Sequence, residues 1–137
     1  YRWAEQQVND RLQDINLIQK HTIISDFDTD LENNSTIESS PPYDCVVSIL
    51  CLHRAEDPAQ HLKHCLKSLK PDGFFLGLFF GGDTLTELKQ SIIHAETSIS
   101  GGSHQRTTPL MTKQQAGSLL QSAGFALPVI DSDIVQV

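Results

Sequence analysis

At residues 43–50 the chain reads YDCVVSIL, a run of apolar and β-branched residues with the length of one strand. Too few polar residues alternate along it for a sheet with one solvated face, so it predicts a strand at the centre of a parallel sheet. Asp57 and Pro58 then supply a helix N-cap and a first helical residue. The helix is expected to stop before Pro71, and residues 74–80 form a second apolar run. This order predicts a parallel βαβ unit.

The residues before this unit predict one helix and one short strand. Apolar residues recur at steps of three and four between Tyr1 and Ile18, which is typical of an amphipathic helix. Residues 22–25 read as a strand. Residues 26–44 hold six carboxylates and no Lys or Arg, and we expect a solvated acidic loop there.

The residues after the unit predict two further helices and a hairpin. Thr84 and Glu87 have the spacing of a capping box, as do Thr112 and Gln115. The apolar stripe expected for the first of these helices consists of Leu85, Leu88, Ile92, Ala95 and Ile99. The second helix is expected to close at Gly124, and residues 125–137 to form two short strands.

Length and composition limit the classes of function. A chain of 137 residues is at most one domain. Seventeen acidic residues against ten basic ones give a formal charge of −7, which argues against nucleic acid and anionic membranes as partners. No apolar stretch approaches the roughly 20 residues of a membrane span. The first residue is Tyr1 rather than Met, so we expect an incomplete N-terminus.

The cysteines and histidines offer few catalytic or metal-binding patterns. The chain has three cysteines, an odd number: Cys45, Cys51 and Cys65. Two of them lie in or beside apolar runs, and we expect reduced, buried thiols, as in an intracellular protein. His61, His64 and Cys65 share one helix, with His53 nearby, but no CxxC or HExxH pattern supports zinc, and we expect no metal site.

The residues suggest two other kinds of site, a hydrolytic triad and a ligand-binding site at the ends of the strands. Ser48, His53 and Asp57 would make a hydrolytic triad, but no GxSxG motif accompanies them. Ligands of open α/β sheets bind outside the carboxyl ends of the strands. Asp26, at one such end, would accept a hydrogen bond from an exocyclic amine, and the helix after Gly82 would receive an anion. The alternatives are that Asp26 only ends a strand and that the glycines only turn the chain.

The order of these elements resembles the second half of a class I S-adenosylmethionine-dependent methyltransferase. The resemblance rests on YDCVVS at residues 43–48, LKPDG at residues 69–73 and LLQSAGF at residues 119–125. It implies an incomplete Rossmann-like α/β fold, with a parallel sheet and a C-terminal antiparallel hairpin. Residues 1–20 would be the N-terminal helix, and residues 22–137 the second half of the core of one partial domain.

Within that superfamily the chain resembles the mitochondrial complex I assembly factor five family. This resemblance rests on GGDTLTEL at residues 81–88, the Gly101-Gly102 pair and DSDIVQV at residues 131–137. It implies S-adenosylmethionine-dependent hydroxylation of an arginine on a complex I subunit, with complex I subunits or assembly proteins as partners. The implied location is the mitochondrial matrix or the matrix face of the inner membrane, with peripheral association only, or the cytoplasm in a bacterium.

The resemblance also assigns roles to three residues. Asp26 falls where the family has the acidic residue that reaches the adenine, and Ser48 and His53 fall on the segment that lines the cofactor and substrate pocket. The chain departs from the family at two loop positions. Arg54 replaces a tryptophan after the histidine, and His104-Gln105 replaces Ser-Pro after the glycine pair.

The largest departure is in the cofactor loop. The family has a glycine-rich loop before the position of Asp26, whereas the first glycine of this chain is Gly73. The first βα unit therefore looks missing, and we expect a truncated or internally deleted member without useful affinity for S-adenosylmethionine. Because the family's fourth strand pairs with its first, the strand at residues 43–50 is expected to have an open edge.

Two alternative functions remain open. One is a non-catalytic assembly module. The other is a small-molecule or carrier-protein O-methyltransferase, which GGDTLTEL argues against.

Overall fold

The computed structural model describes residues 2–13, 21–25 and 41–136. Four helices and three strands follow one another along these residues. In chain order they are α1 (Arg2–Gln13), β1 (His21–Ser25), β2 (Tyr43–Ile49), α2 (Pro58–Lys67), β3 (Leu69–Leu78), α3 (Thr86–Ser100) and α4 (Lys113–Ala123). The predicted parallel α/β organisation is confirmed. The predicted acidic loop, apart from its last residues, and Asp26 lie outside the described residues.

The sheet has the order β1-β2-β3, with both pairs parallel. The ladder between β1 and β2 runs from His21 opposite Cys45 to Ser25 opposite Ile49. The expected open edge beside β2 is therefore wrong, because β1 pairs there directly. A buried strand with unpaired N–H and C=O groups costs free energy, and the short strand preceding β2 along the chain satisfies them.

The strand β3 begins earlier than the sequence predicted and contains an irregularity. Its register jumps from Leu69 opposite Tyr43 to Phe74 opposite Cys45. The intervening KPDG segment, at residues 70–73, therefore bulges out of the ladder. A Cβ on Gly73 would lie 2.9 Å from the carbonyl oxygen of Lys70, so glycine is required for this close approach. The prediction of a turn between α2 and the strand at residues 70–73 is therefore wrong, because these residues already belong to β3.

The two faces of β2 are covered by different helices. Cys45, Val47 and Ile49 pack with Ala4 and Val8 of α1. Val46 lies in a second cluster with Cys65 of α2, and a third cluster joins α2 to α4. Every residue of β2 except the partly buried Asp44 is buried, which confirms the predicted central position of this strand. Each apolar side chain buried in this way stabilises the fold by about 1.5–3 kcal/mol.

Two of the three predicted helix starts are confirmed. The side chain of Asp57 accepts a hydrogen bond from the N–H of Gln60 at 2.9 Å, and Pro58 is the first residue of α2. Thr112 and Gln115 form the reciprocal capping box of α4. That helix ends at Gly124 in the left-handed conformation, with φ of 105°.

The helix α3 differs from its prediction at both its start and its packing. Its N-cap is Leu85, in the left-handed conformation with φ of 56° and no capping side chain, so the predicted capping box at Thr84 is wrong. The hydroxyl of Thr86 donates instead to the carbonyl of Asp83 at 2.7 Å. None of the residues of α3 is buried, and of its predicted apolar stripe only Ile92 is partly buried.

The C-terminal residues form no strand. The hairpin expected at residues 125–137 is wrong for the described part, residues 125–136, which carry neither strand nor helix. Polar side-chain contacts with two helices, rather than a β-ladder, hold this segment. Arg11 of α1 pairs with Asp133, and Lys113 of α4 donates to Ser132. No helix in the described parts of the chain combines the length and the apolar character that crossing a bilayer needs.

Replacing Leu85 by Asn should stabilise the protein by about 1 kcal/mol, because Asn tolerates the left-handed conformation and is a preferred N-cap. The measurement is the free energy of unfolding in urea. Leu88→Asn is the matched control, since Leu88 is 50% exposed and Leu85 52%. At this position, the third residue of α3, the same change should cost up to about 0.5 kcal/mol through helix propensity. Equal destabilisation by both variants would contradict the assigned N-cap.

Candidate functional site at the carboxyl ends of the strands

Three loops meet beyond the carboxyl ends of β2 and β3, where open α/β sheets bind ligands. The first loop leaves β2 at Leu50, whose φ of 58° lies in the left-handed region. Its N–H donates to the carbonyl of Leu78 at 2.7 Å, which ties the end of β2 to the end of β3. A bulky residue in this conformation stores backbone strain of about 1–2 kcal/mol. The chain therefore turns at Leu50, next to the end of β3.

The residues after Leu50 present a histidine beside an aromatic ring. Cys51 and Leu52 are buried, and the N–H groups of Arg54 and Ala55 both donate to the carbonyl of Cys51 at 3.0 Å. This tight turn holds His53, whose ring lies edge-on to Phe80 with ring centroids 4.9 Å apart. Phe80 is 46% exposed, so the pair forms an aromatic surface open to solvent.

The loop after β3 is closed against the segment that precedes α4. The N–H of Gly82 donates to the carbonyl of Met111 at 2.9 Å, and the Lys89 ammonium donates to the carbonyl of Gly82 at 3.2 Å. A Cβ on Gly82 would stand 3.5 Å from the Thr112 methyl group, which is ordinary contact. The glycine pair therefore turns the chain against this segment, with one of its N–H groups already bound to protein.

A buried polar cluster lies under α2, on the sheet face opposite α1. Ser48 is 1% exposed, and its Oγ lies 3.2 Å from Nε2 of His61. The Sγ of Cys65 lies 3.8 Å from the same nitrogen. Burial lowers the pKa of His61, and the nearby charge of His64 lowers it further. The neutral imidazole is favoured, so one ring nitrogen is available as an acceptor for the serine hydroxyl.

The structure separates the residues that a hydrolytic triad would need. Ser48 faces His61 rather than His53, and the carboxylate of Asp57 caps α2. Among the described residues, no group of three His, Cys, Asp or Glu side chains is placed to hold a metal ion. Asp26 lies outside the described residues. The contact of Ser48 and His53 with a cofactor stays a prediction.

All three cysteines are buried, and none of them forms a disulfide. Burial, with a smaller effect from the charge of Asp44, raises the pKa of Cys45 to about 11. Burial, followed by the neighbouring Cys51, raises the pKa of Cys65 to about 12. The reactive species of a thiol is the thiolate, so neither of these two cysteines is an activated nucleophile. The predicted buried, reduced thiols are confirmed.

Two groups near the carboxyl ends of the described strands are already engaged within the protein. Ser48 is turned under α2, and the N–H of Gly82 is bound to Met111. The segment after β1 contains no glycine, since the first glycine of the chain is Gly73. Close approach of backbone N–H groups to an anion is easiest without a Cβ. Among the described residues, neither the Ser48 side chain nor the N–H of Gly82 is therefore open to a ligand.

Sequence reasoning missed two of the contacts at this site. His61 was weighed only as a metal ligand, yet it is the partner of Ser48. The spacing of four between His61 and Cys65 was the available signal, because it places both on one face of α2. The contact between His53 and Phe80 joins loops after different strands, and no local pattern in the sequence indicates it.

The stability of the protein should fall in mild acid because of His61. Its pKa in the folded state lies below the unfolded value of 6.5, so the folded state binds fewer protons. The stability contribution is complete above pH 6.5 and is lost as the pH falls through the lowered pKa. Urea unfolding at several pH values should show a weaker acid dependence for His61→Gln than for the unchanged chain.

His94→Gln is the control for this measurement, because His94 is an exposed residue of α3. It should leave the acid dependence unchanged. An identical pH profile for His61→Gln and the unchanged chain would show that His61 does not contribute.

The three thiols should resist a disulfide reagent such as dithionitrobenzoate at pH 8 until the protein unfolds. Burial blocks access, and the raised pKa values of Cys45 and Cys65 leave little thiolate. Absorbance at the thionitrobenzoate band measures the reaction. An Ile99→Cys variant provides an exposed thiol as the control and should react at once. Immediate reaction of any native thiol would contradict the burial described here.

Comparison with known proteins identifies the family of this fold and site. Residues 8–77 match the model of the methyltransferase domain, which generally uses S-adenosylmethionine. The chain is similar to the mitochondrial arginine-hydroxylase NDUFAF5 of Mus musculus, with 35% identity over 127 residues, which is 88% of this chain and 37% of the relative. It is 43% identical to the Homo sapiens protein of the same name over 95 residues, 69% of this chain and 28% of the relative.

A bacterial relative extends this group. The putative methyltransferase RP459 of Rickettsia prowazekii is 34% identical over 90 residues, 65% of this chain and 39% of the relative. The chain thus spans less than two fifths of the length of each of these relatives. The family match covers about half of the chain, from α1 to near the end of β3. The chain belongs to the class I methyltransferase domain family and lies close to the arginine-hydroxylase NDUFAF5 group within it.

Proposed function

We propose that this chain is a methyltransferase-like protein of mitochondrial complex I assembly, acting in the matrix or at the matrix face of the inner membrane. Its 43% identity to an arginine-hydroxylase named as mitochondrial carries the proposal. The run GGDTLTEL at residues 81–88, which turns the chain between β3 and α3, adds support. Residues 22–137 correspond to the second half of the family's core, and residues 1–20 to the helix before it.

We further propose that this chain by itself has no useful affinity for S-adenosylmethionine. In support, no glycine precedes Gly73, and β1 pairs with β2 where the family's first strand would lie. The side chain of Ser48 is directed to His61 and is almost fully buried. Group transfer would require a bound cofactor. We propose that the loops beyond the carboxyl ends of β2 and β3 instead offer a surface to a protein partner.

The surface beside His53 suits an arginine-bearing protein as that partner. Phe80 is half exposed, and Asp83 is an exposed carboxylate three residues further along the same loop. A guanidinium group pairs with carboxylates and stacks on aromatic faces. The formal charge of −7 favours a basic partner through long-range attraction.

A second candidate is a carrier-protein O-methyltransferase. The chain is 33% identical over 91 residues to the malonyl-[acyl-carrier protein] O-methyltransferase of Xylella fastidiosa, and this favours the candidate. The reaction it implies needs a bound methyl donor. The same cofactor titration therefore separates the two functions.

Titration of this chain with S-adenosylmethionine in a calorimeter should give no binding heat at micromolar concentrations, because backbone N–H groups for the methionine carboxylate are lacking in the described site. The homologous Homo sapiens arginine-hydroxylase serves as the control for the ligand stock. Micromolar affinity of this chain would contradict the deficiency and restore the enzymatic candidates.

Co-purification with complex I subunits from a mitochondrial matrix extract tests the assembly function. Phe80→Ala should reduce capture several-fold, since it removes the exposed half of the aromatic surface. Ile99→Ala is the control, being a large exposed apolar residue at the far end of α3. Equal capture by both variants would place the partner elsewhere, and failure to capture any complex I protein would contradict the assembly function.

A further inference from the structure

The helix α3 carries an apolar side that is open to solvent. Five residues, which we call the α3 stripe, form this side: Leu85, Leu88, Ile92, Ala95 and Ile99. None of them is buried, and the exposed fraction is 50% for Leu88 and 85% for Ile99. Single exposed apolar residues are ordinary, but a continuous row of them along one side of a helix is typical of an interaction surface.

The spacing of the α3 stripe is that of a coiled coil. Its members follow one another at steps of three, four, three and four residues. This spacing keeps them on one seam of the helix, at positions a and d of a heptad. Position a holds Leu85, Ile92 and Ile99, and position d holds Leu88 and Ala95. Isoleucine at position a combined with leucine at position d favours a pair of parallel helices.

Contacts beside the α3 stripe hold the helix in a fixed orientation. The ammonium of Lys89 donates to the carbonyl of Gly82 at 3.2 Å. The carboxylate of Glu96 accepts from the N–H of His104 at 2.9 Å and pairs with Arg106. An isolated helix of this length is marginal in water. Because α3 is already ordered in the folded chain, pairing with another helix does not have to order it first.

The residues that flank the α3 stripe suit a second copy of the same helix. Lys89 and Glu96 occupy position e, and Ser91 and Ser98 occupy position g. In a parallel pair, position g of one helix lies beside position e of the other. Ser91 of one copy then lies beside Glu96 of the other, so neither charged residue faces its own equivalent. The short serine side chains also leave room for the contacts that Lys89 and Glu96 make within their own copy.

We propose that two copies of this chain pair through their α3 stripes, as parallel helices related by a two-fold axis. Each copy carries the same seam, so each stripe covers the other. Equivalent residues then face one another, Ile92 against Ile92 and Ala95 against Ala95 of the other copy. The loop with Phe80 and Asp83 leads into the start of α3, so the two His53–Phe80 surfaces lie at the same end of the dimer.

Light scattering after size-exclusion chromatography, repeated over a range of protein concentrations, tests the dimer. The mass should approach twice 15.2 kDa as the concentration rises. The double variant Leu88→Lys and Ile99→Lys should stay monomeric, because it places charges within the seam. Far-UV circular dichroism should show an unchanged fold for this variant, since both side chains are half exposed or more.

The matched control is the double variant Gln90→Lys and Ile93→Lys, which changes the same number of exposed side chains to lysine at positions f and b. Ile93 is 50% exposed, as is Leu88. These positions lie away from the seam, so the control should dimerise like the unchanged chain. Added salt should strengthen the dimer, because each copy has a formal charge of −7 and the two repel one another.

The variant Ala95→Cys tests the parallel register. In the parallel pair the two side chains at this position face one another, so the variant should form a disulfide between copies when oxidised glutathione is reduced in exchange. The native thiols are buried, which leaves the introduced thiol as the accessible one. His94→Cys is the control, because His94 is exposed at position c, away from the seam. It should give far less cross-linked dimer.

Four outcomes would overturn the proposal. A chain that stays monomeric at about 1 mM would have too little affinity for a dimer. Loss of the dimer in the Gln90→Lys and Ile93→Lys control would show that added charge alone prevents pairing. Dissociation by salt would show an ionic interface. A dimer without the Ala95→Cys cross-link would exclude the parallel register, and this measurement holds even if the Leu88→Lys and Ile99→Lys variant fails to fold.

Discussion

The backbone ladder on both sides of β2 is the constraint on which the rest of the structure depends. The side chains of β2 are buried by α1 on one face and by α2 on the other, so its backbone cannot be satisfied by water. Both edges therefore need strands. The strand β3 supplies one through the α2 crossover, and β1 supplies the other.

This pairing also determines the shape of the candidate site. With β2 fixed at the centre, the left-handed turn at Leu50 brings the following loop over the end of β3, and His53 meets Phe80. The alternation along β2 directs Ser48 to α2, where it contacts His61 in place of a ligand surface. The same sheet that stabilises this short chain thus takes a candidate cofactor residue out of the solvent-accessible site.

The sequence predicted the elements whose local chemistry is strong. The apolar run at residues 43–50, the Asp57-Pro58 cap and the Thr112 capping box all appear where expected, because each depends on residues within one turn or one strand. The prediction for α3 was half right. Its period of three to four indicated a helix, but periodicity does not show whether another element buries the apolar side, and no residue of α3 is buried.

The sequence by itself determined the family, the parallel α/β order and the absence of glycine before Gly73, since these depend only on which residues follow one another. The tertiary structure alone decided that β1 pairs with β2, that Ser48 faces His61 and that residues 125–136 form no strand. These outcomes depend on competition between distant segments for the same backbone partners. A strand pattern states only that a segment is able to pair, and the available edges in the folded chain decide whether it does.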